Sequence, residues 1–407
     1  RDEVVSALRA RVAQADEQRD GAEHDAQLNH KGLRVARRQD GRQWRTMSEA
    51  HHVTEQDRPM TRLPAEWERQ SGVMLTWPHA ATDWVDQLEA VERLYTDLAS
   101  LIARFEPVFI VCRDAALWER VRAKLAATGA DPQRFVCGVA DSDDTWARDH
   151  GPITVIDRGR PRLVDFRFNG WGGKFSAERD DRITSTLHAA GRFAKAELET
   201  STLVLEGGAV ESDGAGTLMA VVRTLVDERR NPGWSREAIE TELRSLLGSE
   251  HFLWLEHGQL TGDDTDGHID TLARFCSADT ICYVRCDDRS EPDAPELAAM
   301  ELELRAFAQA SGRPYRLVPL PHPAPIHDRD GRRLPASYAN FLIVNGAVLL
   351  PIYEDPADQA AVSRLRALFP GREVLLVDCR PLIRQGGSLH CITMQLPAGL
   401  RIRPAPG

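Results

Sequence analysis

The chain has 407 residues, enough for one large domain or two of ordinary size with ample core in either case. Apolar residues make up 42% and charged residues 28%, with a net charge of −11; this argues against nucleic acid or an anionic membrane as the main partner and mildly favours a cationic ligand. Seven scattered cysteines, no secretory pattern at the N-terminus and no apolar run of membrane-spanning length set the expectation of free thiols in a reducing cytoplasm.

Residues 1–58 are rich in Arg, Gln, Asp and His, and only Val4, Val5, Leu8 and Val12 share a helical stripe. A disordered or partly helical extension without chemistry is expected there, with Met47 and Met60 as alternative start sites. From Leu63 the texture becomes α/β. Residues 73–77, 108–112, 341–344 and 373–377 read as strands, and 86–104, 115–127, 235–247, 294–311 and 357–368 as amphipathic helices. Turn signals such as Gly151-Pro152, Asn169-Gly170 and Asp266-Gly267 abound, but no Pro/Ser/Gly-rich linker divides the region, so 59–407 is expected to be one domain.

Chemistry-bearing residues concentrate in four segments. Asp144 to Pro152 crowds charge into a run ending in a turn: Arg148 and Asp149 read either as an exposed ion pair or as a carboxylate aimed into a cleft to hold a cation. Glu206, ahead of Gly207-Gly208, ends an apolar run. A carboxylate is penalised there unless paired, so Glu206 is half of a buried salt bridge or a site residue. The run Asp263-Asp264-Thr265-Asp266-Gly267 fails as a calcium loop, because placing Gly267 at the sixth position puts Gly262 first and Ala273 twelfth. What remains is His268-Ile269-Asp270; on a strand, imidazole and carboxylate would project the same way, and acids beside a histidine stabilise its protonated form.

The fourth segment, Gly386-Gly387-Ser388-Leu389-His390-Cys391, sets a cysteine behind a glycine pair that lets another group approach the backbone closely. Cys276, Cys282 and Cys286 share one parity and read as core. No H-E-x-x-H motif or Cys/His cluster supports a zinc site. Gly170-Trp171-Gly172-Gly173-Lys174-Phe175 lacks phosphate-loop spacing and reads as a close-packed turn.

Spacing adds an architectural expectation. Glu206 follows Asp149 by 57 positions, His268 follows Glu206 by 62, and Cys391 follows His268 by 123, close to twice the others. A module without a singled-out acid or nucleophile would then sit near residue 330, just before the loop 335–340, while Trp77 lies 72 positions before Asp149 and ends its own strand. Repeats of this size, each bringing a strand end to a shared centre, point to a closed pseudo-symmetric α/β propeller.

Together these segments resemble the agmatine deiminase family, within the guanidine-modifying superfamily of five-bladed α/β-propeller (pentein) fold. The resemblance runs from about residue 63 to 397. It rests on Thr76-Trp77-Pro78, Asp144 to Pro152, Asn169 to Lys174, Glu206-Gly207-Gly208, Asp263 to Asp270, Pro335 to Phe341, Asn345-Gly346 and Gly386 to Gln395. Gln385 departs from it, since some members carry a third glycine there, and the N-terminal length is extra. The resemblance implies a single catalytic domain over 59–407, with Cys391 as nucleophile, His268 as general acid and base, and Asp149 and Asp270 holding a guanidinium. Glu206 is implied as a further partner of the guanidinium or of His268. Trp77 is implied as a wall along the substrate's methylene chain, with Asp264 at its distal ammonium and Gly387 beside it.

The implied reaction hydrolyses agmatine to N-carbamoylputrescine and ammonia through a covalent S-alkylthiouronium, in putrescine (polyamine) synthesis. It needs no metal or redox cofactor. The implied partner is a small cationic guanidine, not nucleic acid or membrane, with homo-oligomer formation left open. A peptidylarginine deiminase acting on peptidyl or free arginine is the close alternative. A pentein-shaped binding protein would be expected to have lost Cys391 or His268. A cysteine protease is disfavoured, because clustered carboxylates would repel an amide's developing oxyanion.

Overall fold

A computed structural model describes residues 60–404. The expected N-terminal extension lies outside the described residues. Five small sheets follow one plan: a short antiparallel pair, then a helix, then a third strand parallel to the second. In chain order, Ile153–Asp157 and Arg160–Arg167 pair antiparallel, and Glu197–Val204 joins in parallel after the helix Ile183–Ala189. Val210–Ser212 and Thr217–Val221 are followed by helix Arg236–Leu247 and strand His251–Leu255. Ala273–Ser277 and Thr280–Arg285 are followed by helix Ala294–Ala306 and strand Arg316–Pro321. Leu342–Val344 and Ala347–Ile352 are followed by helix Asp358–Leu368 and strand Glu373–Asp378.

The remaining sheet joins the two ends of the described chain. Thr393–Pro397 pairs antiparallel with Gln70–Thr76, which runs parallel to Val108–Cys112 after the helix Leu88–Ala103. Local sequence accounts for these pieces. Val91, Leu94, Tyr95, Leu98 and Ile102 recur at helical spacing and are buried. Val108–Cys112 is apolar throughout because it is a central strand buried on both faces. Ser235 caps Arg236–Leu247 by accepting from Ala238 N, and Gly248 ends that helix in the left-handed region at φ 67°. None of the described helices is long and apolar enough to cross a membrane.

Trp77 and Cys391 fall to one sheet, because the strands next to them pair with each other. Trp77 is therefore not a separate module's contribution. Its fully buried ring packs edge-on against Tyr95 and its indole N–H donates to Glu92 at 3.2 Å. Cys276 and Cys282 are buried as expected, on the two arms of one hairpin, whereas Cys286 lies beyond it and is only half-buried.

Candidate active site

Each sheet presents the segment just ahead of its first antiparallel strand to a common centre. Asp149 stands four residues before Ile153, Glu206 four before Val210, Asp270 three before Ala273, Asn340 two before Leu342 and Cys391 two before Thr393. All five are buried. The backbone ties them: Arg148 N donates to the Cys391 carbonyl at 3.1 Å, and Gly208 N donates to Asp149 Oδ1 at 3.1 Å.

Cys391 Sγ lies 3.4 Å from Asn340 Oδ1 and 3.9 Å from Asp270 Oδ2. His268 has Nδ1 3.7 Å from Asp149 Oδ1 and Nε2 3.8 Å from Glu206 Oε2, beyond hydrogen-bond reach of either. Both His268 nitrogens, Glu206 Oε2 and Asp270 Oδ1 lack hydrogen-bond partners among the described residues. Such orphaned buried atoms are costly unless something else meets them. Gly208 leaves room beside three of these side chains: a Cβ there would stand 2.7 Å from His268 Nδ1, 3.0 Å from Asp149 Oδ1 and 3.1 Å from Asp270 Oδ2.

His268 and Asp270 do not share a strand face. His268 precedes a single 3₁₀ turn, Ile269–Thr271, and the strand begins only at Ala273, so a tight turn brings the two side chains to the same place. Glu206 takes both readings open to it. Its Oε1 accepts from the buried Arg230 Nε at 2.8 Å, while Oε2 faces His268. The acidic run also divides. Asp263 accepts from Thr265 N and Gly267 N, and Asp266 binds Arg230 and Lys174, so these two hold the loop. Asp264 instead lines a cleft of about 530 Å³, mouth included, with Trp146, Trp171, Phe175, Gly387 and Cys391.

The aromatic wall is Trp146 and Trp171 rather than Trp77. Asp144 accepts from the indole N–H of both Trp84 and Trp146 at 2.8 Å. Trp171 donates to Asp149 Oδ2 at 2.9 Å from an unusual turn: Gly170, Trp171, Gly172 and Gly173 all have positive φ, with Gly173 N and Lys174 N bonded four residues back. A left-handed turn costs a residue with a Cβ roughly 1–2 kcal/mol, and glycines before and after confine that cost to Trp171. Gly387 is needed because a Cβ there would lie 2.2 Å from the Trp146 ring.

Electrostatics follow from burial. Burial disfavours a charged His268, but Asp149, Glu206 and Asp270 outweigh it and push it up to about 9. Burial pushes Asp149 up to about 6 despite His268, and Asp264 up to about 6 with help from Asp263. Burial opposes ionised Glu206 and Asp270 as well. His268 and Arg230 outweigh it at Glu206, and His390 and His268 at Asp270, holding both below the usual range. Burial, then Asp270 and Asp149, push the Cys391 thiol far up. The empty site thus holds a protonated sulfur, an imidazolium and a surplus of carboxylate charge.

Sequence reasoning missed Asn340, Trp146, Trp171, Arg230 and His390 as parts of this centre. The expected unassigned module is the one that supplies Asn340, whose Oδ1 also accepts from His390 N at 2.8 Å.

Comparison with known proteins identifies the chain as a hydrolase that acts on a carbon–nitrogen bond. The chain belongs to the Porphyromonas-type peptidyl-arginine deiminase family, whose model matches residues 62–397. Agmatine deiminase of Stutzerimonas stutzeri is 36% identical over 362 residues, 83% of this chain and 95% of that one. Among solved structures, a Porphyromonas gingivalis protein provisionally named arginine deiminase is 49% identical at TM-score 0.79, covering 84% of this chain and all of that one. A cysteine-to-serine variant of C. jejuni agmatine deiminase, solved with substrate bound, is 34% identical at TM-score 0.77, over 84% and 97% of the two chains.

Proposed function

We propose that the chain is an agmatine iminohydrolase, converting agmatine and water to N-carbamoylputrescine and ammonia. The observation carrying this reading is a pair of unpartnered, buried acceptors, Glu206 Oε2 and Asp270 Oδ1, on two carboxylates that meet His268 and the Cys391 thiol respectively. A guanidinium is planar, permanently charged and rich in N–H donors, and it matches such acceptors. Carboxylates on its edges offset its dehydration, several kcal/mol for an unpaired ion, and fix its carbon against sulfur. The five sheets are read as the blades of one pseudo-symmetric propeller, and residues 59–407 as one catalytic domain working in the cytoplasm.

In this reading the bound cation lowers the thiol's pKa, the thiol gives its proton to solvent, and the Cys391 thiolate adds to the guanidinium carbon to give a neutral tetrahedral adduct. The His268 imidazolium protonates a terminal nitrogen, the C–N bond breaks, and ammonia leaves a cationic S-alkylthiouronium. Neutral His268 then takes a proton from the water that attacks this carbon. Collapse expels the sulfur, the proton freed from the new carbonyl restores the thiol, and the proton released at the start is taken up in solution by ammonia as ammonium.

The mouth favours a diamine-derived substrate over arginine. Asp264 and Asp83 line it, and the one guanidinium there, Arg332, is engaged by Asp328 Oδ2 at 3.1 Å and the Arg384 carbonyl at 2.9 Å. Turnover is expected to rank agmatine above free and peptidyl arginine. Asp264→Asn should raise KM for agmatine about tenfold and leave an alkylguanidine without a distal amine unaffected, as for loss of one charge-assisted contact. Faster citrulline formation on peptides than on agmatine would reassign the substrate to peptidyl arginine.

The pH profile provides a separate check. Asp149 is ionised only above about 6 and His268 is protonated only below about 9, so kcat/KM should rise through the first value and fall through the second. Asp264 also ionises near 6, so the acid limb should be steeper for agmatine than for the amine-free alkylguanidine. A flat profile between pH 5 and 10 would remove both assignments.

A further inference from the structure

Asp270 faces the sulfur on one side and a second, unassigned imidazole on the other. His390 Nδ1 is 2.7 Å from Asp270 Oδ2, and its Nε2 is 2.8 Å from Glu66 Oε1. His390 is 1% exposed. Glu66 comes from the opposite end of the described chain and lines a second cavity of about 590 Å³, whose lining residues are distinct from those of the cleft. It also accepts from Arg148 Nη1 at 3.1 Å and from Arg274 Nη2, while Arg274 Nε reaches Glu211 at 2.9 Å.

Ionised carboxylates accept hydrogen bonds and do not donate them. An imidazole lying between two of them must carry protons on both nitrogens to bond both. Burial opposes charge on Glu66, but Arg274, His390 and Arg148 outweigh it and keep that carboxylate ionised, as Asp270 is. Burial, then the guanidiniums of Arg148 and Arg274, pull His390 below the usual imidazole value, and Arg274 Nη2, 3.1 Å from Nε2, could donate to a neutral ring. The groups facing His390 are thus Glu66, Asp270, Arg148 and Arg274, with Glu211 behind Arg274 and Cys391 and His268 beyond Asp270. Both carboxylate oxygens stand closer to the ring nitrogens, at 2.7 and 2.8 Å, than the guanidinium at 3.1 Å, and on that ground the ring is read as doubly protonated, with Glu66 as the group that favours it.

We propose that His390 and Glu66 are positioning residues for the reaction. Held charged by Glu66, His390 occupies Oδ2 of Asp270, the oxygen that also faces the sulfur, leaves Oδ1 for the substrate, and supplies positive charge beside that carboxylate. This rests on reading Asp270 as a holder of the guanidinium. The role reaches Cys391 through Asp270: less negative charge beside the sulfur makes its ionisation easier once substrate is bound.

Glu66→Gln is the direct test, because the amide keeps the shape and one acceptor oxygen while removing the charge. The expected result is an alkaline limb of kcat/KM displaced downward by at least one pH unit. Agmatine turnover at pH 8 should fall at least tenfold while turnover at pH 6 falls less than threefold. The rate at which iodoacetamide alkylates Cys391 with a bound amidine should fall in parallel, and Glu66→Asp should restore both readouts. If Glu66→Gln does not fold, His390→Gln, which keeps a donor but cannot be charged, must show the same displaced limb. A folded variant whose profile is unchanged, or lowered equally at every pH, overturns the inference. If Asp270→Asn retains full turnover, the underlying reading of Asp270 fails; if it is inactive while the Glu66→Gln limb does not move, only this inference fails.

Discussion

Cys391→Ser is expected to lower agmatine turnover by at least about 10⁴-fold while Kd for agmatine stays within about threefold of the parent value. The two side-chain acceptors beside the sulfur, Asn340 Oδ1 and Asp270 Oδ2, serve a hydroxyl as well as a thiol, so the acceptors proposed to bind the cation should be undisturbed. What is lost is a nucleophile that can ionise. Burial, Asp270 and Asp149 already push the thiol far up in the empty site, and an aliphatic hydroxyl starts several units higher still. Calorimetric titration and single-turnover kinetics separate binding from chemistry, and mass spectrometry of quenched parent enzyme should find an adduct on Cys391 alone. Parent-level turnover by the serine variant would take the nucleophile role away from this residue.

The second large effect comes from a residue with no reactive group. Gly208→Ala is expected to cut kcat/KM by about 10²–10³-fold, since misplacing catalytic groups by about 1 Å costs on that order. The new methyl would sit 2.7 Å from His268 Nδ1 and about as near Asp149 and Asp270, in the space assigned to the guanidinium. Gly208 does not have a positive φ, so alanine fits the backbone there. The melting temperature should therefore fall by only a few degrees, the overpacking cost being about 1–3 kcal/mol. Thermal melts and steady-state kinetics on one preparation decide the matter. Unchanged kinetics would mean that the substrate does not lie among these three side chains.

Much of the scaffold was legible because its signals are local. Four strand readings and five helix readings fall on observed elements, with ends differing by a few residues, most at 294–311, where the helix stops at Ala306. Cys391, His268, Asp149, Glu206 and Asp270 stood out because charged or nucleophilic groups beside glycines and apolar runs are costly without a task. Asn340 carried no such mark: a neutral amide in a loop looks like any other turn residue. Glu66 and His390 are 324 positions apart, so neither reveals the other. The resemblance put Trp77 at the wall, yet the indoles that line the cleft, Trp146 and Trp171, are fixed by Asp144 and Asp149, contacts that exist only after folding. The Gly-Trp-Gly-Gly run did carry a readable signal, since glycines flanking one bulky residue permit a left-handed turn.

A sulfur that stays protonated in the vacant cleft has a consequence for product release and for survival between encounters. Charge, not shape alone, arms the site: an uncharged ureido compound of nearly the same outline gives the carboxylates nothing to neutralise. Once the ureido group forms, the field that readied the sulfur disappears and the acids recover their mutual repulsion, so expulsion of product and disarming of the thiol are one event. Between turnovers the resting thiol is a poor target for oxidants and electrophiles, which react with the anion.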